Sequence, residues 1–579
     1  MTVLYIIIQK EQKKMKDKNI LLVAVNAKYI HSNLAIYSLK AYSKNKGIDV
    51  HTSEYTINQK VGDVLSDIYK QQADVLCLSC YIWNIEFIKE LITEYHKLCP
   101  DVPIWLGGPE VSYDSIDFLK KYPMVTGIMI GEGEDTFCRV SIFYCCRNDS
   151  DKLYEMDGIA WRDEHGELHI NEKTKLLSMD ELPFCYEDIE NFSNRIIYYE
   201  TSRGCPFSCS YCLSSVEKKV RFRSLSLVFE ELQFFIDHRV KQVKFVDRTF
   251  NCSHEHAISI WRYIHEHDNG VTNFHFEVSA DLLNDEEIEL LNKMRPGLVQ
   301  LEIGVQTTNE KTISEIRRSM NLDKLKDNYF RIHNAHNVHQ HLDLIAGLPY
   351  EDYESFAKSF DEIYRLGCEQ LQLGFLKVLK GSHMHHMAEE YELLYQDKPP
   401  YEVMATKWLS YDEMIEIKKV EEMLEIHYNS GQFLTFLKVL SRHFDSPFKM
   451  YLELADWYKK NGYVNSVYSR VKRTEIVYEF ALSVCESDRQ LYEEALVHDL
   501  YVRERSKARP YFANKRHADT GIKLKELGCD HRYCHIEPYY YDVLNGTPEF
   551  FEDSKWVLYD YEHKKVYYIE QKEENEYEK

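Results

Sequence analysis

Short apolar runs alternate with amphipathic ones over two long stretches, and this alternation constrains the fold more than any other feature. Asn19-Ile-Leu-Leu-Val-Ala-Val25 reads as a buried strand, and Leu34 to Tyr42 has helical spacing. A strand at Val50 to Tyr55 precedes a helix around Val61 to Gln72, and Asp74-Val-Leu-Cys-Leu-Ser-Cys80 precedes one at Asn84 to Leu98. Pro103-Ile-Trp-Leu-Gly-Gly108 and Gly127-Ile-Met-Ile130 complete the first series. The pattern predicts an α/β fold, a parallel sheet with helices on both faces whose ligand sits beyond the carboxyl ends of the strands.

The second series runs from Ile196 to about Lys380. Strands are expected at 196–200, 242–247, 273–279, 298–304, 340–345 and 369–376, separated by helices such as Leu225 to His238 and Asp285 to Lys293. Six βα units predict a partial, TIM-like (β/α)6 barrel with reactive residues at the carboxyl ends of its strands. Between the series, Gly158 to Ile170 reads as a small hairpin with Gly166 in its turn. After about residue 395 the segments turn mostly helical, including Tyr411 to His427 and Phe448 to Lys460. Tyr539-Tyr-Tyr541, Trp556 to Tyr559 and Val566 to Ile569 predict a terminal hairpin or sheet. The expected division is a tail at 1–18, a Rossmann-like domain at 19–150, a linker with hairpin at 151–190, a barrel at 191–395 and a C-terminal domain at 396–579.

A net charge of -23 speaks against a general nucleic-acid or anionic-membrane binder. The basic stretch Lys218, Lys219, Arg221 and Arg223 reads as solvated surface or, less simply, as a local basic groove. Fifteen scattered cysteines without a secretion signal predict a reducing, cytoplasmic setting and no disulfides. The apolar start Val3 to Ile8 is too short to span a bilayer, and Met15 stands as an alternative start before the first strand.

Chemistry concentrates in Thr201-Ser-Arg-Gly-Cys-Pro-Phe-Ser-Cys-Ser-Tyr-Cys-Leu213. Cys205, Cys209 and Cys212 have the spacing C-x3-C-x2-C in a polar loop after a strand-like run. Three clustered thiolates can hold three corners of a cubane iron–sulfur cluster and leave one iron open. A closed zinc site usually takes four protein ligands, and a single C-x2-C pair supplies two. The spacing, the preceding Arg203-Gly204 and the aromatic Tyr211 resemble the radical S-adenosylmethionine (radical SAM) superfamily. The resemblance implies a [4Fe-4S] cluster on Cys205, Cys209 and Cys212 whose open iron takes S-adenosylmethionine and cleaves it reductively to a 5′-deoxyadenosyl radical.

It also implies contacts to S-adenosylmethionine at the strand ends. Phe245-Val-Asp-Arg-Thr-Phe-Asn251 stands where the superfamily usually carries Gly-Gly-Glu, so Val246 and Asp247 would supply a carbonyl and a carboxylate. Glu277 and Ser279 suit ribose or carboxylate contacts, and Leu301 to Thr307 offers Glu302 and Gln306. Asp343 to Pro349 resembles the strand that packs beside adenine.

The first domain is similar to the cobalamin-binding domain often placed before such a core, with Ser79, Gly107, Gly108 and Gly131 as contacts. Glycine lets a backbone approach a flat corrin without a Cβ clash. One departure stands out: Lys28 occupies the place of the cobalt-ligating histidine, and a protonated lysine cannot ligate a metal. His31, three residues later, is the remaining candidate. Elsewhere Cys77 and Cys80 read as core residues and His383, His385 and His386 as a polar loop. Cys529, His531, Cys534 and His535 form a crowded set without standard zinc spacing. The resemblance spans about residues 19–380 and implies cobalamin-dependent methyl transfer or rearrangement, with an external electron donor of flavodoxin or ferredoxin type. Two alternatives are a radical SAM enzyme with a non-cobalamin scaffold domain, such as a methylthiotransferase or ring-forming enzyme, and a non-catalytic cobalamin or redox sensor. Neither the catalytic residues nor the substrate, small molecule or peptide, can be read from the sequence.

Overall fold

The computed structural model describes residues 18–145, 151–172, 176–464, 466–513 and 520–569; the expected tail falls outside them except for Lys18. The chain forms two compact units, one running to Glu351 and resuming at Gly374–Leu409, the other comprising Asp352–Leu373 and the residues from Ser410 onward. The barrel-to-C-terminal boundary expected at 395 therefore falls inside the first unit.

The first unit holds a seven-stranded sheet. Its strands are β1 (Ile20–Asn26), β2 (His51–Thr56), β3 (Val75–Ser79), β4 (Ile104–Gly107), β5 (Gly127–Met129), β6 (Ile159–Arg162) and β7 (Leu168–Asn171), in the order β2-β1-β3-β4-β5-β6-β7. The first five pair in parallel, and β1 and β3 are buried along their whole length. That double-sided burial is why they read as continuous apolar runs. The hairpin β6–β7 is not part of a separate linker: β6 pairs antiparallel with β5, Ile128 opposite Ala160, and extends the sheet.

The second sheet contains β8 (Ile197–Tyr199), β11 (Gln242–Phe245), β12 (Asn273–Val278), β13 (Val299–Gln306), β14 (His339–Ala346) and β15 (Gln370–Phe375), in the order β15-β14-β13-β12-β11-β8. The two ends of this order do not pair, so the barrel is open. The boundary between the units falls within β15. Between β8 and β11, the short strands β9 (Ser202–Arg203) and β10 (Arg221–Phe222) pair antiparallel and close the cysteine loop at its base. The ribbon of β16 (Leu394–Tyr395) and β17 (Val403–Ala405) ends the first unit.

In the second unit, helices Tyr411–Leu424, Leu434–Leu440, Pro447–Lys460, Arg470–Val484, Arg489–Arg503 and Thr520–Glu526 precede a three-stranded antiparallel sheet. Its strands are β18 (Cys534–Tyr541), β19 (Phe550–Asp560) and β20 (Lys565–Tyr568). Among the described residues no helix is long and apolar enough to cross a membrane.

Candidate functional site

The cysteine loop leaves β8 and is fixed at its entry by Asp247, two residues beyond β11. The buried Asp247 carboxylate accepts from Thr201 N at 3.1 Å, Thr201 Oγ1 at 2.7 Å and Ser202 Oγ at 2.6 Å. These donors occupy the carboxylate expected to face S-adenosylmethionine, so Asp247 acts in this structure as the anchor of the loop. Val246 beside it donates its N–H to Tyr199 O. At the other side of the loop Cys205 N donates to Glu217 O at 2.9 Å, and Cys212 N to Cys209 O at 3.2 Å. Gly204 permits this path: its φ is +94°, and a Cβ there would lie 2.5 Å from Lys219 O.

Cys205, Cys209 and Cys212 carry free thiols, the first two buried and the third half-buried. Burial pushes the Cys209 thiol up, opposed by the Arg318 guanidinium. Arg318 reaches Cys209 Sγ at 3.8 Å and Tyr211 OH at 3.2 Å, and also donates to Gly304 O on β13. A half-buried cation facing the thiols suits a site that must carry several thiolate charges. Sequence reading missed Arg318, which lies in a short segment after helix Glu310–Glu315 with no motif of its own. It also missed Cys252, in the turn Phe250–Cys252, whose thiol is pushed up to about 11 by burial and then by the neighbouring Cys205 charge.

The middle strands direct a polar ladder inward. Glu302 on β13 accepts from Lys244 Nζ of β11 at 2.8 Å and faces His275 Nε2 of β12 at 3.1 Å. Its carboxyl is held well below the usual range by His275 and Lys244, which outweigh burial. Glu302 is thus bound within the protein rather than presented free. Next to it in register, Glu277 has its carboxyl raised to about 7 by burial, with Arg248 opposing and Glu302 adding to the rise. Ser279 donates through Oγ to Asp281 at 2.7 Å and through N to Asn251 at 2.9 Å. Gln306 has φ 73° in a bulge of β13, and its buried Oε1 has no partner among the described residues. A non-glycine residue held there is a mark of functional constraint.

The Glu277 value sets a pH dependence. A folded-state pKa above the free value of 4.5 means the folded chain holds the extra proton between pH 4.5 and about 7. The stability this proton contributes is complete below pH 4.5 and is lost as pH rises through about 7, on the order of 3 kcal/mol in total. Glu277→Gln is expected to remove that loss and to melt higher than the parent at pH 8 but not at pH 4.5. Parallel pH–melting curves for the two proteins would remove the basis of this assignment.

The loops of the first sheet approach the same place. Ser79 Oγ, at the end of β3, is buried without a partner among the described residues, as expected of a group reserved for a ligand. Gly108 has φ +110°, and a Cβ on it would lie 2.4 Å from Cys80 O. At Gly107 the nearest atoms a Cβ would meet belong to Met129, at an ordinary contact distance of 3.7 Å. Gly131, with φ +80°, turns the chain into Glu132 and Glu134. Those two carboxylates form a clamp on the cysteine loop. Glu134 Oε1 meets Arg203 Nη2 at 2.6 Å and Ser38 Oγ at 2.8 Å, while Glu132 binds both Arg203 and Arg221. Glu200 completes the shell of Arg203 at 2.9 Å. Arg223 is buried against Glu231, so neither it nor Arg221 belongs to a solvated basic surface.

Lys28 is exposed, and His31 binds Tyr198 OH through Nδ1 at 2.7 Å. Cys77 and Cys80 are buried, with thiols pushed up by burial. His383, His385 and His386 lie on one short helical turn. In the crowded C-terminal set, His535 is bound to Glu537 at 2.7 Å and stacked on Tyr501 while His531 is largely exposed, so the four residues do not converge.

Comparisons with known proteins match this arrangement region by region. A B12 binding domain model matches residues 20–141, a radical SAM superfamily model residues 199–363, and a model for a protein of unknown function (DUF4080) residues 389–528. The cobalamin-dependent radical SAM methyltransferase TokK of Streptomyces tokunonensis is 24% identical, over 64% of this chain and 59% of that protein. The 2-(S-pantetheinyl)-carbapenam-3-carboxylate methyltransferase of Streptantibioticus cattleyicolor is 25% identical, over 51% of this chain and 45% of its own length. The chain thus spans about half the length of these curated relatives. The solved structure of the cobalamin-dependent S-adenosylmethionine radical enzyme OxsB, with aqua-cobalamin and S-adenosylmethionine bound, shares the fold at 15% identity. Its TM-score is 0.58, covering 81% of this chain and 80% of that one.

Proposed function

We propose that this chain, a member of the radical SAM superfamily that carries a B12-binding domain, is an enzyme that cleaves S-adenosylmethionine reductively and transfers a methyl group to a carbon of its substrate. The observation that carries the reading is the clamp of Glu132 and Glu134 on Arg203 and Arg221, which ties the glycine loop of the first sheet to the cysteine loop of the second. Loops that serve two cofactors are held together when both cofactors must address one substrate. When bound, the cluster, S-adenosylmethionine and cobalamin supply electron transfer, a carbon radical and a transferable methyl group.

The chain's own residues bind and orient. Cys205, Cys209 and Cys212 hold the cluster, with Arg318 countering the charge of the thiolates. Ser79, Gly107 and Gly131 line the corrin side. Gln306 Oε1 and Glu277 offer an acceptor and a protonated carboxyl at the strand ends. Lys28 is no metal ligand while protonated and His31 is bound to Tyr198, so a bound cobalamin would take no histidine from this segment. The reductant is a flavodoxin- or ferredoxin-type protein, the setting is the cytoplasm, and the substrate is a small molecule or peptide.

The test is anaerobic reconstitution with iron and sulfide, followed by reductant and S-adenosylmethionine, with 5′-deoxyadenosine measured with and without cobalamin. Product is expected from the parent and from Cys252→Ala, since three cysteines suffice for an open iron. An intact cluster that yields no product under any condition would sink the enzyme reading. Loss of the cluster in Cys252→Ala would show a fourth thiolate ligand and a closed site. Product formed with no corrin bound would favour a scaffold role for the first domain.

A further inference from the structure

The second unit brings three metal-ligating side chains to one point, far along the chain from the cysteine loop. His443 ends the turn Ser441–His443, Cys485 ends helix Arg470–Val484, and Asp488 begins helix Arg489–Arg503. One ligand atom from each lies within 4.8 Å of the others, and His443 Nε2 stands 2.9 Å from Asp488 Oδ2. Aspartate at a helix start ordinarily accepts from the first-turn N–H groups. Asp488 makes no such bond, and its carboxylate turns to the histidine instead.

A second observation points into the same place. Tyr492, one turn further along the helix, is fully buried, and its hydroxyl has no partner among the described residues. Its ring packs edge-on to His443, with centroids 6.2 Å apart. Burial pushes its ionisation up, and the next contributions come from Asp488 and Cys485. A buried phenol without a partner is costly unless something in its reach completes the bond.

The geometry points to a divalent-cation site of the zinc class on His443, Cys485 and Asp488, with Tyr492 as the outer-shell donor. One imidazole, one thiolate and one carboxylate are the donor types that zinc accepts, at about 2.0–2.3 Å. Three protein ligands leave a fourth position for water, to which, or to the thiolate, the Tyr492 hydroxyl donates. On binding, the metal takes the place of the hydrogen bond between His443 and Asp488, and the thiol proton of Cys485 leaves to solvent. All four residues lie in the stretch matched by the model of unknown function.

The test uses the full-length chain with Cys205, Cys209 and Cys212 replaced by alanine, so that the cluster loop takes up no metal. Titration with Co2+ is expected to give one equivalent with a thiolate-to-cobalt charge-transfer band, displaced by Zn2+. Cys485→Ser should abolish the band, and Cys529→Ser should leave it unchanged. His443→Gln alters an outer side chain and should keep the circular dichroism of the parent while weakening binding at least tenfold. Tyr492→Phe should weaken it about tenfold, as loss of an outer-shell partner does. Absence of a charge-transfer band in the parent, or binding of equal strength in folded His443→Gln, would overturn the proposal.

Discussion

Arg203→Ala is expected to be among the most destabilising single changes in the chain. Arg203 is the shared cation of Glu132, Glu134 and Glu200, and Glu134 is only 4% exposed. Removing one partner of a buried ion pair leaves charge that water cannot reach, which typically costs about 3–5 kcal/mol. The loss should depend on pH with a definite sign. Arg203 helps hold the Glu134 carboxyl below its usual range, against the effect of burial. Its contribution is therefore present above the free carboxylate pKa and is lost as pH falls through the lowered folded value. The gap between the melting temperatures of parent and variant should be widest near neutral pH and narrow in acid. A second change, Glu134→Gln, should recover part of the loss at neutral pH. A variant that melts with the parent at neutral pH would remove the clamp from the account of how the two loops are joined.

Gly108→Ala is expected to have a comparable effect for a different reason. The residue sits at φ +110°, and the added Cβ would meet the Cys80 carbonyl at 2.4 Å. Backbone strain of about 1–3 kcal/mol adds to a similar cost of overpacking, and backbone cannot swing aside as a side chain can. The main-chain link Cys80 N to Gly107 O, at 2.7 Å, would be disturbed as the loop moves. Cobalamin retention after gel filtration should fall at least tenfold, while the cluster absorbance of reconstituted protein persists. Gly107→Ala is the control for stability alone, since its Cβ would meet Met129 at an ordinary 3.7 Å and the variant should melt close to the parent. If Gly108→Ala melts and binds corrin like the parent, the steric account of this loop is wrong.

What could be read from the chain and what could not divide along physical lines. Strands β1, β3 and β4 were legible because burial on both faces makes a run such as Ile20 to Val25 uniformly apolar. The cysteine loop was legible because metal ligation demands residue type and spacing together. The hairpin at Gly158 to Ile170 was legible as a hairpin, but its place as an extension of the first sheet was not. That place rests on Ile128 and Ala160 meeting across the sheet, and periodicity carries no information about such pairing. Glu132 and Glu134 carry no signal of their own in the sequence, because their partners Arg203 and Arg221 lie 69 to 89 residues away. Arg318 was silent for the same reason: its counterpart Cys209 is 109 residues upstream. The strand-end polar residues were proposed by position, and the structure shows Glu302, Ser279 and Asp247 engaged by neighbours. Gln306 Oε1 keeps no partner among the described residues.

The anchor at Asp247 has a bearing on how such a protein matures. Thr201 and Ser202 are held to it by three hydrogen bonds, β9 pairs with β10, and Cys205 is fastened to Glu217. Each residue ordered on metal binding would cost about 1–2 kcal/mol of backbone entropy. Here the contacts that order the loop come from the chain itself, so its shape is a property of the polypeptide.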